Sequence, residues 1–304
     1  MQTIMDTIFG ILLAILAAAM FTVGVVAQKK AVQDLPEIKM SDIKTITPMI
    51  KNKVWLIGTI IATLGGLPYI ASQAFIGIGY TQLLLSTGLI FLAYSAIKML
   101  NERLGKLEWS GISCILAGTV LLGLAQLSDV NVTLSEPNFL TNALIFYVIF
   151  GSLIAAGLIL YKFTEWGAAK NMAINSGIWF GIGACSAQIG TLGLEEWNLV
   201  IAAIGFLILI MGNAIGTLVV NIAFQKGKAI MVVPLQSAGN YLIPVTAGLL
   251  LFQQTFTYGL WFYPSVVLIM AGVFLLSRIQ AEMEESFEKS GPQETTPSSS
   301  TETP

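Results

Sequence analysis

Taken as a pattern of apolar and polar positions, the chain is a succession of long apolar runs separated by short polar breaks. Nine runs reach the roughly 20 residues that cross a bilayer as helix, at 6–28, 53–76, 80–98, 108–127, 140–161, 171–190, 198–224, 229–252 and 258–278. The polar residues inside them are not scattered. Within 213–245, Asn213, Thr217 and Asn221 recur every four residues and share one helical face. After the Lys226-Gly227-Lys228 turn, Ser237, Asn240, Tyr241 and Pro244 again fall on one face, and Pro234 leaves a helical carbonyl without its N–H partner. Two polar stripes beside a broken helix suit a path for a polar solute through hydrocarbon. For any one of these residues, hydrogen bonding that merely joins packed helices is the plainer role.

Composition sharpens this picture. Of 304 residues, 55% are hydrophobic and 11% charged, against about 25% charged in soluble domains, so the chain is expected to be an integral, multi-pass membrane protein embedded in a lipid bilayer. The charges then fix a topology. All 15 Lys and Arg fall after the first, third, fifth, seventh or ninth run. The positive-inside rule therefore places the N-terminus outside and the C-terminus in the cytoplasm. Residues 29–52 read as a basic cytoplasmic linker, and 281–304, acidic and then rich in Ser, Thr and Pro, as a disordered cytoplasmic tail.

The two halves echo each other. Ala74-Phe75 near the end of the second run matches Ala223-Phe224 in the seventh, and Ala117-Gly118-x-x-Leu121-Leu122 matches Ala271-Gly272-x-x-Leu275-Leu276. The paired runs cross in opposite directions, as in an inverted repeat, which in transporters sets the site between the halves near mid-membrane. The expected fold is thus an all-α bundle of nine transmembrane helices in a 4+5 arrangement, with a first repeat at 1–128 and a second at 137–280. In the first repeat, Tyr69, Ser72 and Gln73 share a face near Pro68, and Gln82 follows on the next run. The candidate substrate-binding residues are Ser72, Gln73, Gln82, Asn213, Thr217, Asn221, Ser237, Asn240 and Tyr241, with Pro68, Pro234 and Pro244 as helix breaks that allow gating.

Several classes are excluded. There is no His, no Ser in a nucleophile elbow and no Gly-rich loop between a strand and a helix, so no enzyme, cofactor site or metal centre is expected. Basic residues do not alternate with aromatic ones, so no nucleic-acid partner is expected either. The middle third of each run lacks Asp, Glu, Lys and Arg. The carboxylate nearest a span is Glu102, flanked by Lys98 and Arg103, an interfacial ion pair or a coupling group.

A helix with Pro near its middle, an acidic residue at a cytoplasmic end and a Gly-rich last helix resemble the repeat of the drug/metabolite transporter superfamily. The stretch from Ala223-Phe224 through Pro234 to Gly272 carries this in the second half, and Asn101-Glu102-Arg103-Leu104 with Ala117-Gly118 in the first. Four runs before five, Lys29-Lys30 and the long basic linker resemble its NIPA-type magnesium transporter branch. The resemblance implies transport of a small polar solute or cation by alternating access, with magnesium a candidate and a metabolite, drug or amine exporter the alternative within the superfamily. A non-transporting membrane scaffold is the alternative of another class. The plasma membrane is the expected location, and the missing tenth helix leaves room for a homodimer.

Overall fold

The computed structural model describes residues 4–38, 42–102, 104–125, 132–163 and 168–289. Among these, regular structure is helical: α1 (Ile4–Val32), α2 (Ile43–Lys51), α3 (Lys53–Leu64), α4 (Gly66–Leu85), α5 (Gly88–Leu100), α6 (Lys106–Ala125), α7 (Phe139–Phe163), α8 (Ala168–Glu195), α9 (Leu199–Lys226), α10 (Ala229–Leu250) and α11 (Phe262–Lys289). Seven stretches, from α1, α3 with the start of α4, α6, α7, α8, α9 and α11, are long and apolar enough to cross a membrane. The protein is therefore an integral, multi-pass membrane protein. α5 has 13 residues and is shorter than a span. α10 has the length, but its polar stripe and two prolines lower its hydropathy.

The second and third apolar runs take a different form from the two plain helices expected. α3 ends at Gly65, and Pro68 lies in the first turn of α4, where a missing N–H costs nothing. Helical bonding then continues to Leu85, yet Ser72 Oγ and Thr81 Oγ1 are 2.9 Å apart. Nine residues of straight helix would rise roughly 13.5 Å. The chain axis must therefore turn back between them. A second break follows at Ser86-Thr87, where Thr87 Oγ1 donates to the Leu84 carbonyl (2.7 Å), before α5 resumes. α11 continues past residue 281 to Lys289. Its Glu, Met, Ala and Lys residues favour helix. Positions 290–304 lie outside the described residues.

The helices form three groups. α1 packs on α3, α4 and α5; α8 packs on α7, α9 and α10; and α6 pairs with α11. Small residues allow these contacts. A Cβ added at Gly24 of α1 would sit 2.5 Å from the Gly58 carbonyl of α3, and one at Gly58 2.6 Å from the Gly24 carbonyl, so the backbones touch. In the α6–α11 seam, Gly118 lies against Ser265 and Ile269, while Gly272 lies against Gly111 and Ile115. The two glycines that mark the sequence echo thus lie in one interface, each against other residues of the facing helix.

Lys29, Glu102, Lys106, Lys226 and Lys228 mark one end of the bundle, called here the basic end; Glu195 and Glu196 mark the other, the acidic end. The apolar core differs between them. At the basic end it is a single cluster drawing on both halves, with Val26, Trp55, Leu92, Ile115, Phe224 and Met231 among its members. At the acidic end the cluster comes from residues 132–252 alone.

Candidate functional site

Between the helix groups lies a cavity of about 1500 Å³. It reaches Glu195, Gln254 and Phe256 at the acidic end and stops at Gln28, Val220 and Val233 near the basic end. Six of the residues singled out from the sequence line it: Asn213 and Thr217 from α9, and Ser237, Asn240, Tyr241 and Pro244 from α10. Periodicity brings this about, since each set shares one helical face. Asn213 Nδ2 donates to the Leu209 carbonyl (3.0 Å), so the atom it offers the cavity is Oδ1. Pro244 lacks the N–H that would bond the Asn240 carbonyl four residues earlier. That backbone oxygen therefore lacks its usual helical donor.

Other candidates are placed elsewhere. Asn221 is fully buried; its Oδ1 accepts from Trp55 Nε1 (3.2 Å) and its Nδ2 donates to the Thr217 carbonyl (2.7 Å), which ties α9 to α3. Ser72 is also fully buried and donates to the Gly10 carbonyl (2.9 Å), tying α4 to α1. Both are interhelical bonds and neither lines the cavity. Pro234 is buried in the basic-end half of α10, and Pro68 sits at the α3–α4 kink. The side chains of Gln73 and Gln82 lie outside the described residues.

Glu102 is beyond the closed end of the cavity. Its ion-pair partner is Lys29 of α1, 3.1 Å away, where sequence proximity had pointed to Lys98 and Arg103. The reason is the end of α5: Asn101 takes a left-handed conformation (φ 53°), which turns the following carboxylate away from the α5 axis and towards α10. Arg103 lies outside the described residues.

The wall also holds polar residues outside the candidate set. Thr22 of α1 donates to the Gly88 carbonyl at the Ser86-Thr87 break (3.2 Å), and Gln28 of α1 donates to Thr59 of α3 (3.2 Å). Tyr69 of α4 and Thr119 of α6 contribute from two further helices. Of these, Tyr69 shares the face of Ser72 and Gln73 in sequence, whereas Thr22, Gln28 and Thr119 belong to no polar stripe at helical spacing. Glu195, at the acidic mouth, is the one charged residue among the described lining residues. The site is thus a deep, largely apolar cleft set with amide and hydroxyl groups from both halves, with one carboxylate at its acidic mouth.

This fold and site describe a helical membrane protein organised around a one-ended cavity with polar groups set in its wall, the form expected of a solute carrier. No family model matches the chain, and no solved structure matches it. A curated relative does: "Probable magnesium transporter NIPA9" of Arabidopsis thaliana is 24% identical over 298 residues, covering 92% of this chain and 86% of that protein. The name is that of a transporter and not of an enzyme. The likeness runs nearly end to end.

Proposed function

We propose that the protein is a membrane transporter that moves a small polar solute or cation, with magnesium the first candidate, by alternating access. The observation that carries this reading is the cavity itself: a largely apolar wall set with uncharged polar groups in its interior, reaching the acidic end, stopped at the basic end and built by helices from both halves. A static scaffold has no use for such a volume, since polar groups that only join helices bury one another, as Asn221 and Trp55 do. The similarity to a probable magnesium transporter agrees.

The wall chemistry bears on how a magnesium ion would be held. Mg²⁺ gives up its waters reluctantly and is usually bound through one or two carboxylates. The interior wall offers Asn213, Asn240, Ser237 and Tyr241 instead, so the ion would travel hydrated, its waters donating to these oxygens. Binding would be weak, which suits passage better than storage. The finer architecture belongs to the same proposal: nine crossings, the N-terminus outside, the C-terminus cytoplasmic, and inverted repeats at 1–128 and 137–280. The reversal between Ser72 and Thr81, and the α6–α11 seam in which Gly118 and Gly272 both lie, support it. With that orientation the cavity faces outward.

Uptake into proteoliposomes tests the function, with Mg²⁺ set against a panel of amines and neutral metabolites. Saturable Mg²⁺ uptake that falls about tenfold in Asn240→Ala is expected, because the variant withdraws one hydrogen-bonding group from a desolvated path. Thermal stability of that variant should stay within about 0.5 kcal/mol of wild type, since Asn240 is half-buried on the cavity wall. Transport of an organic solute in place of Mg²⁺ would move the protein to the metabolite carriers. Absence of any flux from folded protein would return it to the scaffold class.

A further inference from the structure

Beyond the closed end of the cavity, a group of charges joins parts of the chain that are far apart in sequence. The carboxylate of Glu102, just after α5, accepts the backbone N–H of Ala229 at Oε1 (2.7 Å) and of Ile230 at Oε2 (3.1 Å). These are the first two residues of α10, whose N–H groups have no partner within their own helix. Lys228, which would cap α10, makes no side-chain cap bond, so Glu102 takes that place from another helix. The ammonium of Lys29, in the last turn of α1, lies 3.1 Å from Glu102 Oε1 and also donates to the Gly227 carbonyl in the α9–α10 turn. The Lys29 and Glu102 side chains are each only 7% exposed.

We propose that Lys29 and Glu102 form the latch that keeps the cavity shut at the basic end, and that parting them from the α9–α10 turn is the step that opens it there. The inference rests on the transporter reading above and assigns its gate. The latch lies immediately past the cavity floor: Gln28 lines the cavity, and the next residue is Lys29. It also joins the two halves, because α1 and α5 belong to the first and the α9–α10 turn to the second. Every bond in it is polar or charged and needs its partner; a buried carboxylate or ammonium left alone is strongly unfavourable. The latch is therefore cooperative, either made as a whole or broken with water admitted to all its members. Glu102 holds α10 through the positive end of the helix dipole as well as through hydrogen bonds. A plain ion pair would lack that second hold.

The test is a cysteine placed on the cavity floor. Val220 is 3% exposed and lines the closed end. Val220→Cys, in full-length protein carrying Cys114→Ala and Cys185→Ala, is reconstituted into vesicles of known orientation. A small charged methanethiosulfonate is then added from either side. With the latch intact, reaction is expected from the acidic-end side alone. In Glu102→Gln and in Lys29→Met, reaction from the basic-end side should rise by at least about tenfold, because breaking a buried pair shifts the closed–open balance by more than a decade. Should Lys29→Met fail to fold, Glu102→Gln still decides the matter, since its amide oxygen keeps an acceptor for α10. A floor cysteine that stays sealed from the basic-end side in folded Glu102→Gln would overturn the proposal. No solute is needed, so the gate and the transport reading can fail separately. Access from both sides with no flux of any solute would keep the latch and remove the transporter, and flux with a sealed floor would do the reverse.

Discussion

The two ends of the bundle are built from similar apolar helices, yet one is closed and the other is not. At the basic end the core draws on α1, α3, α5, α6, α9 and α10 together, and the loop after α1 is tied across α9. At the acidic end the core stays within the second half, and the cavity passes beside it to Glu195 and Gln254. What separates closed from open is therefore whether packing crosses between the halves. Apolar contact between halves carries little sidedness of its own, since lipid is as apolar as leucine. Charged and hydrogen-bonded groups are what give the closed end its definition.

The largest effect should come from exchanging the charges of the latch. In Lys29→Glu combined with Glu102→Lys, a simple ion pair would be restored. The latch would not, because a lysine at 102 faces the positive end of α10 and brings donors to N–H groups that need an acceptor. The double variant should therefore remain destabilised by about 3–5 kcal/mol, as for a broken buried pair. Denaturant unfolding of the purified protein measures this. Recovery to within about 1 kcal/mol of wild type would reduce the latch to an ordinary salt bridge.

How far the sequence foretold this depends on how local each signal is. The wall residues Asn213, Thr217, Ser237, Asn240 and Tyr241 were legible because helical spacing places each set on one face of one helix. The same rule also selected Asn221, the next residue on the Asn213 stripe. A stripe that leaves the cavity and enters the α3 seam looks no different in sequence from one that stays on the wall. Thr22 and Thr119 carried no signal, because neither belongs to a polar stripe of its helix and tertiary packing is what brings each to the wall; Thr59 and Thr63, four apart on α3, are a short stripe that went unread. The latch was partly visible. Glu102 stood out as a carboxylate next to a span, but its partners come from the end of α1 and the start of α10, and no local pattern links those positions. Between Ser72 and Thr81, where the chain turns, the sequence has glycines at 77 and 79, whereas the break at Ser86-Thr87 inside an apolar run has no glycine or proline before it to announce it.

A smaller effect is expected from Gln225, which ties the loop after α1 to α9 without any charge. Its Nε2 donates towards the carbonyls of Val32 (3.0 Å), Leu35 (3.2 Å) and Pro36 (3.1 Å), and its Oε1 accepts from the Ile38 N–H (2.8 Å). Gln225→Ala leaves the N–H of buried Ile38 without this partner, at a cost of about 1–3 kcal/mol. The loss should appear locally, as faster protease cleavage between residues 33 and 42, with the cavity floor still sealed in the Val220→Cys assay. Opening of the floor by this change alone would extend the latch to include the loop.

The smallest effect should come from the pair that looks most like the latch on distance alone. Lys226 Nζ lies 2.8 Å from Glu37 Oε1, closer than Lys29 lies to Glu102, and it too links the loop after α1 to the end of α9. Its side chains are 31% and 52% exposed, however, so water and salt screen the attraction, and ordering two long side chains offsets much of it. Neither group is desolvated, and neither leaves a buried charge behind when the other is removed. Lys226→Met should therefore change stability by less than about 1 kcal/mol and leave basic-side labelling of Val220→Cys at the wild-type rate. Beside Lys29→Met, this makes a comparison of like chemistry at one end of one molecule, in which burial is the variable. Equal effects from the two variants would mean that the basic end is held shut by its general concentration of charge, and the particular geometry around Glu102 would lose its standing as a gate.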